Sequence, residues 1–409
     1  MKINLFRKSH GKDVFKYLDL AINEGELTIF FPPREIDLDE FIKWLPEGEL
    51  NYIGDWKVKA TLTTREKVEY SQRPQLGVFT TGTTSENNNL ILFTEKNLTS
   101  AIDSILSFFH QHKINYLFSF PGPQHIFGLS LGYMLSRHRN IEMIDLKGPY
   151  NSGHLRQWFR ACESYGPSLL TLGTPTHFND LITYAHSFDI SPSPSLTSIA
   201  GGGIVGVKLW DEMQNILGIE NPSIGYGCSE ASPAISHLAP GVRPVSDSDL
   251  GEIVPSVEIL KSDSQGFEFA GPNLCLAICS KLGITFPKSL KIKDRIKIEG
   301  SHLTFNGRAS LLLNRGGEKF SLEEIEQFLN SEFKTQVVCL CIDDKRLGSE
   351  LGILVKKNQT PKMKIFGALT KKYAKNFNPD YYKEVDLIPT NANQKIDRKS
   401  CSDLYYGDE

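Results

Sequence analysis

Short apolar runs alternate with amphipathic stretches along most of this chain, and that alternation limits the fold more than any other feature. ELTIFF (26–31), INYLFSF (114–120), SLTSIA (195–200), VVCLCI (337–342) and LGILV (351–355) have the length and β-branched or aromatic content of strands. Leu98, Ile102, Ile105, Leu106 and Phe109 fall on one helical face, as do Leu322, Ile325, Phe328 and Leu329. Ser321 followed by Glu324 forms a capping box at the start of the second helix. Strands interleaved with helices predict an α/β fold. With 40% hydrophobic and 23% charged residues, the 409-residue chain is neither disordered nor fibrous, and its length suits two or three domains.

The turn-rich segment 300–317 supplies the clearest boundary. It runs through Gly307-Arg308 to Gly316-Gly317, and the capped helix, two strands and a basic tail follow. The expected division is a large domain over 1–308, built from several sheets with helices, and a small mobile α+β domain over 309–409, with a hinge near Ala309-Ser310. The Asn87-Asn88-Asn89 run and the SPSPS loop (191–195) are expected to be exposed.

Charge and cysteine usage narrow the classes of partner. Lys+Arg is 45 against Asp+Glu 48, a net charge of −3, which argues against a nucleic acid or anionic membrane partner. No stretch reaches the apolar length of a membrane span. The opening MKINLFRKSH lacks the apolar core of a secretory signal, so the expected location is cytoplasmic. Seven scattered cysteines fit reduced thiols, and none shows zinc-finger spacing.

Four segments carry possible chemistry. Thr80, Thr81, Gly82, Thr83, Thr84 and Ser85 concentrate hydroxyl and amide donors suited to phosphate oxygens, although a Thr-rich turn is also an ordinary loop. In Gly225-Tyr226-Gly227-Cys228-Ser229-Glu230, the glycines admit a flat ligand, Ser229 can bond a phosphate, and Glu230 can hold a phosphate-bridging Mg²⁺. The same residues also suit a capped surface turn. Asp294 can accept from two ribose hydroxyls, with Arg308 as a nearby donor, or can belong to a solvated charge run. Lys395, within Asn393-Gln394-Lys395-Ile396-Asp397-Arg398, can deliver a positive charge from a flexible tip, or can be part of a basic tail.

The order of these segments, over roughly residues 76–400, resembles the AMP-forming adenylating superfamily of acyl- and aryl-CoA synthetases, peptide-synthetase adenylation domains and luciferases. Thr80–Ser85 looks like the phosphate loop. Pro123-Gln124-His125-Ile126-Phe127-Gly128 is similar to the segment that presents an aromatic or His to the acid pocket. Gly201, Gly202 and Gly203 match the adenine-side glycines, and Tyr226-Gly227-Cys228-Ser229-Glu230 matches Tyr-Gly-x-Thr-Glu. Gly316-Gly317-Glu318-Lys319 and Glu324-Ile325-Glu326 are similar to the small-domain loop and the signature that closes it. The phosphate loop departs from the usual Gly-x-Pro-Lys by reading Ser85-Glu86-Asn87-Asn88, which removes a lysine beside the triphosphate. Ser310 stands where the hinge usually has Asp or Lys, and Gln394 replaces the Gly before the lysine. Only 79 residues precede Thr80, so the resemblance implies a reduced N-terminal subdomain.

The resemblance implies that a carboxylic acid is activated by ATP with Mg²⁺ to acyl-AMP and passed to CoA or a phosphopantetheinyl carrier protein. It implies Lys395, Glu230 and His125 as catalytic, and Tyr226, Gly227, Ser229, Gly201–Gly203, Asp294, Arg308 and the Thr80–Ser85 loop as nucleotide-binding. No carboxylate precedes His125 to hold an amino group, so an amino acid is not expected. The compact chain resembles o-succinylbenzoate–CoA ligases, whose second carboxylate needs polar partners, expected near His125, Ser198 or Thr174, Thr176 and His177. The alternatives are a carrier-loading ligase or a catalytically silent nucleotide- or acyl-binding relative.

Overall fold

The structure is a computed structural model that describes the chain apart from residues 8–12, 33–35, 55, 57–59, 61–65, 81–88, 145, 147–149, 191–195, 264, 309–310, 316–317, 345–346, 358–359, 374, 391–395 and 408–409. Among the described residues, two large sheets dominate the first three quarters. The first runs from edge to edge through Gly283–Thr285, Ala277–Ser280, Leu90–Phe93, Leu76–Phe79, Leu27–Phe30, Lys2–Arg7 and Glu49–Gly54. The second runs through Asp294–Glu299, His302–Arg308, Asp249–Ile253, Ser236–Leu238, Asn221–Tyr226, Thr197–Gly201, Leu169–Gly173, Tyr116–Ser119 and Glu142–Met143. Tyr116–Ser119, Leu169–Gly173, Thr197–Gly201 and Asn221–Tyr226 are mutually parallel. Such strands are covered on both faces, and Leu169–Gly173 and Thr197–Gly201 are buried at every residue.

The helices that cover this sheet begin at sequence-encoded caps. At helix Glu95–Leu106, the Thr94 side chain accepts from the Asn97 N–H while Asn97 Oδ1 accepts from the Thr94 N–H. Its buried face includes the predicted Leu98, Ile102 and Ile105, with Leu106 half-buried and Phe109 buried in the 3₁₀ turn that follows. Asn151 and His154 cap helix Ser152–Tyr165, and Thr174 and His177 cap helix Pro175–Phe188. Trp158, on the inner face of Ser152–Tyr165, donates its indole N–H to Thr171 Oγ1 at 2.8 Å.

Beyond residue 311 a smaller unit forms its own core. Val337–Asp344 pairs with Gly348–Lys356, which pairs with Tyr382–Val385. Helices Leu322–Phe333 and Lys362–Tyr373 pack Ile325, Leu329, Ile365 and Leu369 against Val337, Cys339 and Ile353. Ser321 Oγ accepts from the Glu324 N–H at 3.3 Å, the N-cap half of the expected box. Among the described residues, no cluster of buried apolar side chains spans the two units: one set ends at Leu303 and the other begins at Leu313. The predicted hinge at Ala309-Ser310 lies outside the described residues.

Candidate functional site

The parallel strands end on one side of the second sheet, and the chemistry-bearing segments follow those ends. His125 comes six residues after Ser119, Thr174 after Gly173, Gly202 after Gly201, and Gly227 to Glu230 after Tyr226. Open α/β sheets bind ligands at the carboxyl ends of their strands, because the loops there converge around a crevice. Gly201 and Gly225 are neighbours in adjacent strands. A Cβ on Gly201 would lie 3.0 Å from the Gly225 carbonyl oxygen and 3.7 Å from the Phe127 ring, so the His125 segment and the glycine run meet here. Gly202 has φ of +78°, in the left-handed region that glycine adopts without strain.

Tyr226 is the last residue of its strand, and its hydroxyl donates to Asp294 Oδ2 at 2.7 Å. Asp294 opens the edge strand Asp294–Glu299, where its register partner is Arg308. Three residues singled out separately in the sequence are thus gathered by the sheet: Tyr226, the Asp294 carboxylate held by its hydroxyl, and the backbone of Arg308. After Tyr226 the chain turns sharply. A Cβ on Gly227 would collide with the Pro233 carbonyl. Ser229–Ala231 forms a single 3₁₀ turn, held by the Ala231 N–H on the Cys228 carbonyl at 3.1 Å.

Ser229 and Glu230 are half-buried in that turn, and the Glu230 carbonyl accepts from the Cys275 N–H at 2.8 Å. Burial, reinforced by the neighbouring Glu230 charge, pushes the Cys228 thiol well above its usual pKa, so it stays protonated beside the carboxylate. Among the described residues, no group of three or more His, Cys, Asp or Glu is arranged to hold a metal ion. A Mg²⁺ at Glu230 therefore needs phosphate oxygens and water for its other ligands, which is how Mg²⁺ is held at nucleotide sites. Asn273, which the sequence reading missed, fixes this turn. Its side-chain N–H groups donate to the carbonyls of Ala231 at 2.9 Å and Ala234 at 2.6 Å, while its backbone carbonyl accepts from Ser232 Oγ at 2.7 Å. Its position directly after Gly271-Pro272 was the available signal.

Thr80 follows strand Leu76–Phe79. Its N–H donates to the Asn89 carbonyl at 2.9 Å, and its hydroxyl accepts from the Asn89 N–H at 3.2 Å. That hydroxyl braces the base of the expected phosphate loop. Thr81, Gly82, Thr83, Thr84 and Ser85 lie outside the described residues, as does Lys395. His125 is half-buried immediately before a helix that continues as a π-helix over Gly128–Met134, an uncommon geometry often found near functional sites. Beside it, Gln124 Oε1 is buried with no hydrogen-bond partner.

Two of the expected pocket-wall groups are used elsewhere. His177 Nδ1 accepts from the Thr174 N–H at 3.0 Å as a helix cap, its ring stacks on Phe120 at 4.9 Å, and burial lowers its pKa to about 4. A neutral, capped imidazole is no cationic partner for a second carboxylate. Ser198 is fully buried and in parallel register with Thr171, so it shares the face that carries Trp158, opposite to Ile199. The sequence places these residues near the site, but their side chains serve the helix cap and the opposite core.

The AMP-binding enzyme family matches residues 42–272, more than half of the chain. The chain belongs to that family. Within the match lie Thr80, His125, Gly201–Gly203 and Tyr226–Glu230; Asp294, Arg308 and Lys395 fall beyond it. The mitochondrial medium-chain acyl-CoA ligase ACSF2 of Danio rerio is 26% identical over 205 residues, 44% of this chain and a third of that relative's length. Among solved structures, the Bacillus subtilis o-succinylbenzoate CoA synthetase with its acyl-adenylate intermediate superposes with a TM-score of 0.78 at 16% identity, covering 98% of this chain and 88% of that one. ATP-bound MatB of Rhodopseudomonas palustris gives 0.76 at 15%, covering 99% and 89%. At these identities the likeness is one of fold: a large N-terminal domain of several sheets with a smaller C-terminal domain.

Proposed function

We propose that this AMP-binding enzyme is an acid–thiol ligase of the AMP-forming kind. The carboxylate of a small acid attacks the α-phosphorus of ATP, an acyl–O–P bond forms, and pyrophosphate leaves. A thiol then attacks the acyl carbon, giving a thioester and AMP. The observation that carries the proposal is the Tyr226–Asp294 hydrogen bond beside the Gly201–Gly203 run, with Glu230 in the adjoining turn. Tyr226 offers a ring face to adenine, and its hydroxyl holds Asp294 ready to accept from the ribose hydroxyls. Ser229 supplies a phosphate donor. Glu230 would hold Mg²⁺, which supplies charge neutralisation at the phosphates. Lys395 is assigned the positive charge where pyrophosphate departs, His125 lines the acid pocket, and the unit beyond residue 308 is a mobile domain that carries Lys395.

CoA is the thiol we assign, since the relative in Danio rerio is named an acyl-CoA ligase. O-succinylbenzoate is the acid we place first, on the likeness of fold to the Bacillus synthetase. The amide N–H groups of Gln124, beside His125, are the donors we assign to its second carboxylate. The test is turnover of o-succinylbenzoate with CoA, against medium-chain fatty acids and against a phosphopantetheinyl carrier as acceptor. Efficient turnover of a plain fatty acid with o-succinylbenzoate inert would remove this choice of acid. A thioester formed only on the carrier would replace CoA.

A further inference from the structure

Arg398 stands three residues after Lys395, and its guanidinium is spread over a buried carboxylate. Nη1 donates to Glu326 Oε1 at 2.9 Å and Nη2 to Glu326 Oε2 at 2.6 Å, a two-pronged pair with side chains only 18% and 8% exposed. Both partners also grip one residue of the small-domain edge strand Val337–Asp344: Glu326 Oε1 accepts from the Cys339 N–H at 2.7 Å, and Arg398 Nη1 donates to the Cys339 carbonyl at 3.1 Å. Nearby contacts hold the same stretch of chain. Thr390 and Ile396 form a β-bridge, and the Asp397 N–H donates to the Pro389 carbonyl at 3.0 Å. Asp397 then caps helix Arg398–Tyr406 by accepting from the Ser400 N–H at 3.2 Å and its hydroxyl at 2.9 Å.

Stability alone explains this pair poorly, because a buried ion pair gains little over well-packed apolar residues. What it adds is direction: a planar fork on a carboxylate fixes the orientation of the chain that carries it. We propose that Arg398 and Glu326 are positioning residues, which fix the base of the segment bearing Lys395 so that its ammonium meets the reacting phosphates in the first half-reaction. This inference rests on the role proposed above for Lys395.

The test compares Arg398→Lys, Glu326→Gln and Lys395→Ala in the full chain. Arg398→Lys keeps the charge and loses the fork, and Glu326→Gln keeps one acceptor in case the first variant fails to fold. Each is assayed for acyl-AMP formation from o-succinylbenzoate, for thioester formation from supplied o-succinylbenzoyl-AMP and CoA, for thermal unfolding, and for trypsin cleavage after Lys395 in the native protein. Arg398→Lys should lose roughly 10²-fold in the first half-reaction, the scale of a small misplacement of a reacting group, with the second little changed. Cleavage after Lys395 should accelerate well below the unfolding temperature. Equal losses in both half-reactions would show a merely structural role and overturn the inference. So would full adenylation by Arg398→Lys when Lys395→Ala is inactive. If Lys395→Ala itself adenylates normally, it is the reading of the lysine that fails. Should o-succinylbenzoate prove inert, the trypsin arm decides: faster cleavage supports the positioning role and unchanged cleavage overturns it.

Discussion

Replacing Tyr226 by Phe removes one hydroxyl and leaves the ring in place, so it isolates the bond from Tyr226 to Asp294 at 2.7 Å. In the wild type that bond orients the carboxylate before nucleotide arrives. Without it, Asp294 must be ordered on binding, and immobilising one such side chain costs about 0.5–1.5 kcal/mol. AMP affinity should therefore fall by roughly 2- to 12-fold. Asp294→Ala removes the acceptor itself, and a hydrogen bond to a charged group contributes about 1.5–3 kcal/mol, so its loss should be larger. The double variant should bind no worse than Asp294→Ala alone, because Tyr226 acts through Asp294. Isothermal titration with AMP measures all three. Titration with 2′,3′-dideoxy-ATP adds a control, since wild type and Tyr226→Phe should bind a nucleotide without ribose hydroxyls equally. Unchanged AMP affinity in Tyr226→Phe, or losses that simply add in the double variant, would refute the assignment of Asp294 to the ribose.

Further expectations concern the lysine, the domain division and pH. Lys395→Ala should cut acyl-adenylate formation by about 10²–10³ while sparing thioester formation from supplied acyl-AMP, and equal damage to both steps, read by quenched-flow, would contradict its role. A chain ending at Arg308 should fold cooperatively, since the apolar clusters on either side of the junction are separate, and should form little acyl-AMP; a fragment with no unfolding transition by circular dichroism would place the boundary elsewhere. Burial lowers the pKa of His177 to about 4 and of His237 to about 3, from 6.5. Below 6.5 the unfolded chain takes up protons that the folded chain refuses, so stability present above 6.5 is lost as pH falls, by about 2 kcal/mol per histidine near pH 5. The His237→Leu variant, which removes two ring nitrogens without hydrogen-bond partners, should flatten that slope; chemical denaturation at pH 7 and pH 5 checks it, and an unaltered slope would contradict the burial.

Local signals in the sequence located the elements better than the contacts between them. VVCLCI and LGILV are strands because β-branched runs of that length fit a buried sheet, and they emerge as Val337–Asp344 and Gly348–Lys356. The Gly201–Gly203 and Tyr226–Glu230 segments stood out as candidates through their order along the chain, since each taken singly also suits an ordinary turn. The pairing of Tyr226 with Asp294 was not, since 68 residues separate them and only the order of strands in the sheet brings them together. Lys2–Arg7 reads as an unremarkable polar start, yet it is an interior strand whose middle four residues are buried, because parallel neighbours at Leu27–Phe30 and Glu49–Gly54 close over it. His177 has a role that the reading of the pocket wall did not include. Thr174-Pro175-Thr176-His177 is itself a helix start, with proline at the first helical position, and that local role accounts for the imidazole without a substrate.

The central claim is that this AMP-binding enzyme joins an acid to AMP before a thiol arrives, and pyrophosphate release tests it most directly. Full-length protein is incubated with ATP, Mg²⁺ and a panel of carboxylic acids, including o-succinylbenzoate, medium-chain fatty acids and aryl acids, with and without CoA. The account predicts pyrophosphate that depends on one class of acid, formed in a single-turnover amount without CoA and continuously, with matching AMP, when CoA is present. Tight AMP binding with no acid in the panel raising pyrophosphate above the acid-free rate would contradict it, and would leave a nucleotide-binding protein that does not turn over.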